Sequence, residues 1–456
     1  MADSFDVVVL GMGPGGEVAT SRLVGAGKRV AVVERELIGG ECAYWGCIPS
    51  KTLLRPPDAR SDAGRAAGLT RPDLDWPALR DYRDVMIRHL DDTKQIRGYE
   101  EQDVAVIKAA GRLVGRGADG RLQVDADGRT LDAEHVVVAT GSAAVRPPID
   151  GFDDVPVWTN REATTLTEIP HRALVIGGSA VAVELGQFLA RMGTRVTMVE
   201  RGERLVSREE PRVGELARAA LEADGIDVRL GREARRASRN GSGAHVELDD
   251  GSTVDVDVIV LGTGRRPRTD DIGLHTVGID VASSGEKGLP VDEHCRAGEG
   301  LWGVGDVTGR AMFTHVAKYQ GRIAADAILG RPRKASYAGI PRVIFADPEL
   351  AAVGLTTAQA AEQGIDVAGA ELDLPEAIAR PWTYEQEPRG TLGLIADRDR
   401  GVLVGAWAVA PLAGEWIHTA AMAIRAQVPL DTLRDQVAQF PTYTEAYLSA
   451  LDQLDA

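Results

Sequence analysis

The sequence predicts an α/β fold in which two similar strand–turn–helix units are followed by a C-terminal α+β region. An apolar strand at residues 5–10 and another at 173–176 each run into a glycine-rich turn and then a helix. In both units the next strand ends on an acidic residue, Glu34 or Glu200, 23 positions after the first glycine of the turn. From residue 340 onward, strands rich in valine and isoleucine are mixed with helices. The repeat predicts two Rossmann-like domains, and the change of pattern after it predicts a third domain.

The first glycine turn reads Gly11-Met12-Gly13-Pro14-Gly15-Gly16 and predicts that a dinucleotide binds there. Gly11, Gly13 and Gly16 let the backbone approach a pyrophosphate, which rests on the N-terminus of the following helix. Glu34 stands where an acceptor for a ribose hydroxyl is needed. Strand, turn, helix and acid together indicate a nucleotide-binding unit rather than a chance glycine-rich turn.

The second turn reads Gly177-Gly178-Ser179-Ala180-Val181-Ala182 and matches the same pattern less completely. Ser179 takes the place of the middle glycine, while Ala182 is acceptable in the last place. Glu200 would accept a hydrogen bond from the 2′-hydroxyl of NADH and repel the 2′-phosphate of NADPH. Arg201 and Arg204 follow closely, so NADPH stays an alternative to the expected NADH. Two such units imply two bound nucleotides.

Two of the three cysteines lie in the stretch 39–51, directly after the first unit. On a regular helix Cys42 and Cys47 would have their Cα atoms about 8–9 Å apart, whereas a disulfide needs about 4.4–6.8 Å. If they pair, we expect Cys42 at the start of a helix, where a thiolate is favoured, and Gly46 absorbing the bend. Two buried free cysteines are the alternative. A dinucleotide site beside a cysteine pair suggests a flavin that exchanges electrons with a disulfide.

Composition and charge exclude several classes of partner. The 456 residues carry a formal net charge of −16, so neither nucleic acid nor an anionic membrane is an expected partner. No run of about 18 apolar residues occurs, and no signal-peptide pattern precedes the first strand. Three cysteines in so long a chain do not make a secreted disulfide scaffold and fit a reducing cytosol. We therefore expect a cytoplasmic protein.

These residues resemble the flavoprotein disulfide reductases, the pyridine nucleotide–disulfide oxidoreductase family that includes dihydrolipoamide dehydrogenase, glutathione reductase and mercuric reductase. The resemblance runs along the whole chain, and its motifs are highly specific in combination. They are Gly-x-Gly-Pro-Gly-Gly at Gly11, Cys-x4-Cys-x-Pro-Ser-Lys at Cys42, Ala-Thr-Gly at Ala139, the second nucleotide turn at Gly177, Thr-Gly-Arg-Arg-Pro at Thr263, Gly-Asp at Gly305 and Pro-Glu-x-Ala-x-Val-Gly-Leu-Thr at Pro348.

The resemblance implies FAD and a nicotinamide nucleotide as cofactors and a homodimer as the assembly. The first glycine turn and Glu34 would hold FAD, and Asp306 would bond the ribityl chain of the flavin. The residues implied for the nicotinamide nucleotide are Gly177, Ser179, Ala182 and Glu200, and Gly141 and Gly264 belong to further cofactor-binding motifs. The implied domains are an FAD domain in two parts, an inserted NAD(P) domain and a dimerisation domain, with the ranges 1–150, 271–337, 151–270 and 338–456.

The resemblance also implies a catalytic role for each residue of the redox centre. Cys47 lies against the flavin ring and forms a charge-transfer thiolate, whereas Cys42 is the outer thiol that meets the substrate. Lys51 sits near flavin N5 and pairs with Glu184. The C-terminal domain completes each active site from the partner subunit, and Glu445 belongs to its catalytic motif.

The chain departs from the family at its C-terminus. Thiol-reducing members carry His-Pro-Thr-x-Ser-Glu, where this chain reads Phe440-Pro441-Thr442-Tyr443-Thr444-Glu445. Phenylalanine cannot transfer the proton that histidine transfers in thiol exchange, and Glu445 loses the partner it would orient. Tyr443 is either a substitute acid or an aromatic packing residue. Mercuric reductases also lack the histidine, but they use an extra C-terminal cysteine pair that is absent here.

Two further departures concern Tyr44 and Trp45, which lie between the paired cysteines, and Cys295. The two aromatic rings predict either a flat apolar wall for the acceptor or packing beneath the flavin. Cys295 is interpreted as a structural thiol rather than a metal ligand, and no metal site is predicted.

The sequence thus predicts an NADH-dependent flavoenzyme with an active dithiol and a small-molecule acceptor that does not need a histidine acid/base. Candidate acceptors are an unusual disulfide, a quinone or a redox-active metal ion. The alternatives are a dihydrolipoamide dehydrogenase-like enzyme with a substitute proton donor, and a transhydrogenase that moves hydride between nicotinamide nucleotides. A non-catalytic flavoprotein subunit is disfavoured because it would have no use for Cys42, Cys47, Lys51 and Glu184 together.

Overall fold

The computed structural model describes residues 3–283, 285 and 287–455, and the chain divides into two compact units. The segments of the first unit are 1–49, 81–145 and 264–336, and those of the second are 50–80, 146–263 and 337–456. Each unit contains its own sheets and its own apolar clusters. The domain boundaries at 150, 270 and 337 stay a prediction.

A mixed sheet forms the centre of the first unit. Asp3–Leu10 pairs in parallel with Val30–Val33 and with Arg129–Val138. Val8 enters one apolar cluster and Val9 another, so both faces of the sheet are covered. In spatial order the strands are Arg296–Gly298, Leu301–Gly303, Arg129–Val138, Asp3–Leu10, Val30–Val33 and Ala105–Ile107, with Leu122–Ala126 also pairing with Arg129–Val138 and Gly111–Arg116 pairing with Leu122–Ala126.

The remaining elements of the first unit surround this sheet or connect its strands. Ser142–Ala144 and Arg265–Pro267 form a separate antiparallel ribbon. The α-helices are Pro14–Gly25, Gly40–Tyr44, Thr93–Glu100 and Thr314–Ile328, and the 3-10 helices are Arg88–Leu90, Leu274–Val277 and Gly305–Thr308. Two further helices, Cys47–Arg65 and Trp76–Met86, contribute residues to both units.

The second unit contains a parallel sheet, an antiparallel three-stranded sheet and an antiparallel five-stranded sheet. The parallel sheet has the order Asp227–Leu230, Arg195–Glu200, Arg172–Ile176, Val258–Leu261 and Val157–Trp158. The three-stranded sheet contains Ala234–Asn240, Gly243–Leu248 and Thr253–Val256, and the five-stranded sheet has the order Pro341–Ile344, Glu349–Gly354, Val402–Ala410, Thr391–Asp397 and Val367–Asp373. This arrangement agrees with the predicted Rossmann-like unit followed by an α+β region.

The helices of the second unit fall into two groups along the chain. The α-helices before residue 264 are Asn160–Thr164, Ala180–Arg191 and Pro211–Ala223, and Phe152–Asp154 is a 3-10 helix. The later α-helices are Thr357–Glu362, Leu374–Ala377, Arg380–Tyr384, Ala413–Trp416, His418–Ala426, Leu430–Arg434 and Ala446–Leu451, and Tyr443–Glu445 is a 3-10 helix. Across the described residues, no helix has both the length and the apolar character needed to cross a bilayer.

Two predicted elements are wrong in their extent. The sequence from Asp84 to Tyr99 has the pattern of one helix, but the structure has Trp76–Met86, Arg88–Leu90 and Thr93–Glu100, because a left-handed turn interrupts the helix. The apolar run from Val254 to Leu261 has the pattern of one strand, but it is divided between two sheets. The division falls at Asp257, whose carboxylate accepts hydrogen bonds from the backbone N–H groups of His171 and Arg172.

Candidate functional site

The first glycine turn leaves open space in front of the helix Pro14–Gly25. Gly11 has a φ of +95°, and a Cβ atom there would lie 2.5 Å from the carbonyl oxygen of Ala139. A Cβ on Gly16 would lie 2.1 Å from the carbonyl oxygen of Gly11, so no side chain fits at either position. A Cβ on Gly13 would meet no described atom within 4 Å. The turn is therefore tight toward the protein and open at the helix N-terminus, which fits the pyrophosphate of a dinucleotide.

Glu34 and Glu200 occupy equivalent positions in the two strand–turn–helix repeats. The carboxylate of each accepts hydrogen bonds from backbone N–H groups and so braces its own glycine turn. The carboxylate of Glu34 accepts from Met12 N at 2.7 Å and from Glu36 N at 2.7 Å. The carboxylate of Glu200 accepts from Gly178 N at 2.5 Å and from Gly202 N at 2.7 Å. Since a carboxylate has about four acceptor positions, a ribose hydroxyl can still be accepted at each site. Sequence reasoning predicted the ribose contact but not the bracing contacts.

Asp306 lies in a polar chain within the first unit. Ser142 Oγ donates to Asp306 Oδ2 at 2.6 Å and accepts from Arg265 Nε at 2.7 Å. Burial raises the pKa of Asp306, while the bond from Ser142 and the charge of Arg265 oppose that shift. Gly141 and Gly264 both have positive φ values beside the ribbon that carries Ser142 and Arg265. Asp306 thus accepts from Ser142, and Ser142 is itself held by Arg265.

The second glycine turn is built from contacts within the second unit. Gly177 has a φ of +106°, and a Cβ there would lie 2.4 Å from the carbonyl oxygen of Gly262. A Cβ on Gly262 would in turn lie 2.5 Å from the Cβ of Ala182. Ser179 caps the helix Ala180–Arg191, and its side chain accepts from Ala182 N at 3.5 Å. The replacement of the middle glycine by serine therefore supplies a helix cap, and the turn still fits a nucleotide.

The two cysteines of the redox stretch lie on either side of a break between two helices. Cys42 is the third residue of the short helix Gly40–Tyr44, and Cys47 is the first residue of Cys47–Arg65. Cys42 therefore lies in the first turn of a helix, close to the expected helix start, and the break includes Gly46, where the bend was expected. The second helix start, at Cys47, was not predicted. The side chains of Cys42 and Cys47 share a hydrogen bond.

Thr314 joins this pair from the first residue of the helix Thr314–Ile328. Its Oγ1 lies 3.2 Å from Cys47 Sγ. The hydrogen bond with Cys47, followed by burial, raises the pKa of Cys42, while Thr314 and the charge of Lys318 lower it. Cys47 has the N–H groups at its helix start and the Thr314 hydroxyl beside it, and both kinds of group stabilise negative charge on a sulfur. Thr314 was missed in the sequence, although it begins a helix soon after the Gly-Asp motif.

Lys51 and Glu184 form an ion pair within the second unit. Lys51 Nζ donates to Glu184 Oε2 at 2.6 Å, and Glu184 Oε1 accepts from Phe345 N at 2.9 Å. Lys51 Nζ also lies 4.9 Å from the centre of the Phe345 ring. The side chain of Glu184 is buried, and that of Lys51 is about one third exposed. Glu184 thus fixes the position of the lysine ammonium group.

Residues 5–321 match the family model described as pyridine nucleotide-disulphide oxidoreductase, and residues 340–451 match the dimerisation domain of that family. The chain belongs to this family. As a pyridine nucleotide-disulphide oxidoreductase it is a flavin-dependent enzyme, and its dimerisation domain supports a homodimer.

Relatives of this disulphide oxidoreductase cover nearly the whole chain. A mercuric reductase from Streptomyces lividans is 35% identical over 97% of this chain and 94% of its own length. A dihydrolipoyl dehydrogenase from Bacillus subtilis is 30% identical over 98% of this chain and 96% of its own length. The solved structure of LpdA from Mycobacterium tuberculosis has a TM-score of 0.87 at 26% identity, over 99% of both chains. The Cu(II) complex of the HOCl-induced flavoprotein disulfide reductase RclA from Escherichia coli has a TM-score of 0.86 at 26% identity, also over 99% of both chains.

The C-terminal motif of this disulphide oxidoreductase has no proton-transfer side chain at Phe440, which is 72% exposed. Tyr443 is buried and stacks on Trp416, with 6.0 Å between ring centres and 11° between ring planes. Burial also raises the pKa of Tyr443. These features favour packing over acid catalysis for Tyr443. Glu445 Oε2 is buried, and no hydrogen-bond partner for it occurs among the described residues.

Three further predictions for this disulphide oxidoreductase concern Tyr44, Cys295 and metal binding. Tyr44 is fully buried and its ring centre lies 5.7 Å from that of Trp45, so Tyr44 packs inside the protein and forms no wall for an acceptor. Cys295 is also fully buried, as a structural thiol would be. In the part of the chain that the structure describes, no three His, Cys, Asp or Glu side chains are grouped so that they could hold a metal ion.

Replacing Thr314 with valine tests how the Cys47 thiolate is stabilised. Thr314→Val keeps the size of the side chain and removes the hydroxyl that contacts Cys47 Sγ. We expect alkylation of Cys47 in the reduced holoenzyme at pH 7 to slow by about three- to ten-fold, because a hydrogen bond to a charged group is lost. Alkylation is followed by peptide mass spectrometry. Thr276→Val is the control, since that hydroxyl donates to the Gly273 carbonyl instead. An unchanged alkylation rate in Thr314→Val would exclude this role.

The sequence from residue 56 to residue 102 is polar and shows no catalytic or binding motif, but Asp58 and Arg65 from this stretch join a buried ionic cluster in the second unit. Asp58 Oδ1 lies 2.8 Å from Arg191 Nη1, and Asp347 pairs with both Arg191 and Arg65. Burial raises the pKa of Asp58 to about 7, although Arg191 opposes the shift. The charges of Asp347 and Asp62 add to the rise.

The raised pKa of Asp58 predicts a pH-dependent stability. The folded protein holds a proton on Asp58 that the unfolded chain releases above about pH 4. The free energy of unfolding therefore falls as the pH rises from about 4 to 7, and Asp58 causes no further fall above about pH 7. We expect the difference in the free energy of unfolding between Asp58→Asn and the wild type to shift by about 2–4 kcal/mol in favour of the variant when the pH is raised from 4.5 to 8. Urea unfolding at the two pH values measures this shift.

Asp73→Asn is the matched control, because Asp73 is an exposed carboxylate. Its difference from the wild type should be nearly the same at both pH values. If Asp58→Asn also differs from the wild type by a constant amount, the buried carboxyl does not hold the extra proton.

Proposed function

We propose that this protein is an FAD-dependent NAD(P)H oxidoreductase in which electrons pass from NADH through the flavin to the Cys42–Cys47 pair. From there they pass to an acceptor that does not need a histidine acid/base. The contact of the two thiols with each other, and of Cys47 with Thr314, is the observation that carries the proposal. The side chain of Phe440 is exposed and cannot transfer a proton, which supports an acceptor that does not need a histidine acid/base.

Each glycine turn has a proposed nucleotide. The first turn, with Glu34, Ser142 and Asp306, would hold FAD, and bound FAD would supply two-electron transfer between the nicotinamide and the cysteines. The second turn, with Glu200, would hold the nicotinamide nucleotide. The carboxylate of Glu200 favours NADH, because a 2′-phosphate beside it would be repelled.

The chain's own residues explain how the dithiol would work. Cys47 is held as a thiolate by its helix start and by Thr314, and Cys42 is the thiol that exchanges with the acceptor. When the acceptor is a disulfide, Cys42 gives its proton to water as its sulfur bonds to one acceptor sulfur, and the other acceptor sulfur leaves as a thiolate that takes a proton from water. The Cys47 thiolate then attacks the Cys42 sulfur, the internal disulfide forms, and the second acceptor sulfur leaves as a thiolate that is protonated by water. Lys51, fixed by Glu184, supplies positive charge for the reduced centre.

The proposed acceptor belongs to one of three chemical classes, which are an unusual disulfide, a quinone and a redox-active metal ion. The similarity to mercuric reductase and to RclA, whose Cu(II) complex is known, supports keeping a metal ion in this set. The names of the dihydrolipoyl dehydrogenase relatives support the runner-up, a lipoamide-type enzyme whose proton comes from water. The four-segment domain order, the completion of each site by the partner subunit and the cytoplasmic location are part of the same proposal.

The test is steady-state turnover of the purified holoenzyme with NADH or NADPH as donor. Lipoamide, an aromatic disulfide, a quinone, Cu(II) and Hg(II) serve as acceptors in separate assays. We expect faster turnover with NADH than with NADPH, and reduction of at least one acceptor other than lipoamide. Fast lipoamide reduction alone would favour the runner-up. Hydride exchange between nucleotides with no acceptor reduced would make the protein a transhydrogenase, and no turnover at all would overturn the proposal.

A further inference from the structure

A left-handed turn of three residues lies in the first unit, after the helix Trp76–Met86. Arg88, His89 and Leu90 have φ values of 55°, 50° and 58°. For residues other than glycine this conformation costs about 1–2 kcal/mol per residue. Such strain persists only where the surrounding contacts impose it, and it is concentrated at functional sites. The turn is therefore held in place by what it contacts.

The turn brings Arg88 to Tyr44, a residue of the short helix that carries Cys42. Arg88 Nη1 donates to Tyr44 Oη at 3.1 Å, and the guanidinium carbon lies 5.6 Å from the centre of the tyrosine ring. Tyr44 Oη in turn donates to the carbonyl oxygen of Ile38 at 3.1 Å. Tyr44 is fully buried. One arginine therefore fixes the last residue of the helix Gly40–Tyr44 through a hydrogen bond and a cation–π contact.

The residues that follow the turn contact the chain just before that helix. Asp92 Oδ2 accepts from Ile38 N at 2.8 Å and from Lys108 Nζ at 2.7 Å. Gly39, with a φ of +118°, separates Ile38 from Gly40, the first residue of the helix. The segment 88–92 therefore contacts both Tyr44, the last residue of the helix, and Ile38, two residues before its start.

We propose that Arg88 and Tyr44 form a clamp that sets the redox equilibrium of the Cys42–Cys47 pair. The inference rests on the proposed function, in which this pair cycles between dithiol and disulfide. The equilibrium for closing a disulfide depends on how strongly the protein holds the two sulfurs together, which is their effective concentration. A helix fixed by the clamp keeps Cys42 beside Cys47, whereas a released helix lets the sulfurs separate. Arg88 and Tyr44 are positioning residues for this reaction.

The test measures the dithiol–disulfide equilibrium of the holoenzyme in dithiothreitol buffers. When the cysteine pair closes, its two hydrogens pass to oxidised dithiothreitol, whose ring disulfide opens. The reaction is quenched by alkylation, and labelled Cys42 and Cys47 are counted by peptide mass spectrometry. We expect Arg88→Ala to lower the equilibrium constant for disulfide formation about ten-fold, which corresponds to a potential raised by about 30 mV.

Tyr44→Phe provides an independent variant, because it keeps the ring and removes both hydrogen bonds of the hydroxyl. We expect a smaller shift in the same direction, and Arg88→Lys should recover part of the loss by keeping a cation over the ring. In the double variant the two effects should not add, since both residues act through one contact. Arg97→Ala, which removes an exposed arginine of the helix Thr93–Glu100, should leave the equilibrium unchanged.

Unshifted equilibria in both Arg88→Ala and Tyr44→Phe would overturn the clamp. Fully additive shifts would overturn it too, because the two residues would then act separately. The measurement uses no acceptor, so a failure of the clamp is distinct from a failure of the proposed function. If the wild-type pair forms no disulfide at any buffer ratio, it is the proposed function that fails.

Discussion

Cys42→Ser is expected to lower NADH-dependent reduction of a disulfide acceptor by at least about 10³-fold, because serine cannot form the bond to the acceptor sulfur. Cys47 remains in the variant, with Thr314 beside it. The variant therefore removes the thiol proposed to exchange with the acceptor and keeps the thiol proposed to form the thiolate. The measurement is NADH oxidation with the disulfide acceptor that the wild-type enzyme reduces fastest.

Cys295→Ala is the matched control for this variant. Cys295 is the third cysteine of the chain and is fully buried. Its replacement should leave disulfide reduction within a few-fold of the wild-type rate. If Cys42→Ser keeps full activity with every acceptor, electrons leave the enzyme without using the dithiol, and the proposed route is wrong.

Phe440→His is expected to raise the rate of lipoamide reduction by about 10²- to 10⁴-fold, the contribution that a general acid/base makes. The position is 72% exposed, so the substitution should cost little stability. Glu445, whose Oε2 is buried without a hydrogen-bond partner among the described residues, is available to orient the new imidazole. The gain should follow a titration near neutral pH, as expected of histidine.

Phe440→Asn separates proton transfer from the loss of the aromatic ring. Asparagine is polar but does not titrate, so lipoamide reduction should stay near the wild-type rate. If Asn and His raise the rate equally, the phenyl ring blocks the substrate, and the missing base is not what limits lipoamide reduction. If neither has an effect, lipoamide turnover is limited elsewhere in the enzyme.

The sequence was sufficient for the fold class and the family because those depend on local patterns. The strand–turn–helix repeats around Gly11 and Gly177 require only hydrophobic runs and glycines, and both repeats have the predicted strand, turn and helix. The ion pair of Lys51 with Glu184 followed from the family motifs. The bracing contacts of Glu34 and Glu200 were not predictable, since they depend on how each strand end faces its turn.

A similar limit applies to the stretch 39–51, where the sequence did not predict that Cys47 begins a helix. Spacing alone shows that a regular helix cannot pair Cys42 with Cys47, but it does not show which cysteine begins a helix. The break falls at Trp45 and Gly46, so the helix start belongs to Cys47.

The stretch from residue 56 to residue 102 gave no signal for a similar reason. Arg88 and Asp58 are ordinary charged residues in sequence. Their partners, Tyr44 and Arg191, are 44 and 133 positions away. A left-handed turn of three non-glycine residues has no sequence pattern of its own, because only the surrounding contacts impose it.

The most direct test of the central claim is to reduce the holoenzyme anaerobically with one equivalent of NADH and no acceptor. Free thiols are then alkylated and assigned to residues by peptide mass spectrometry. The proposed route predicts that Cys42 and Cys47 are both protected in the oxidised enzyme and that one equivalent of NADH exposes both. If NADH is consumed while the labelling of the two cysteines does not change, electrons do not reach the pair. The dithiol would then have no part in the reaction.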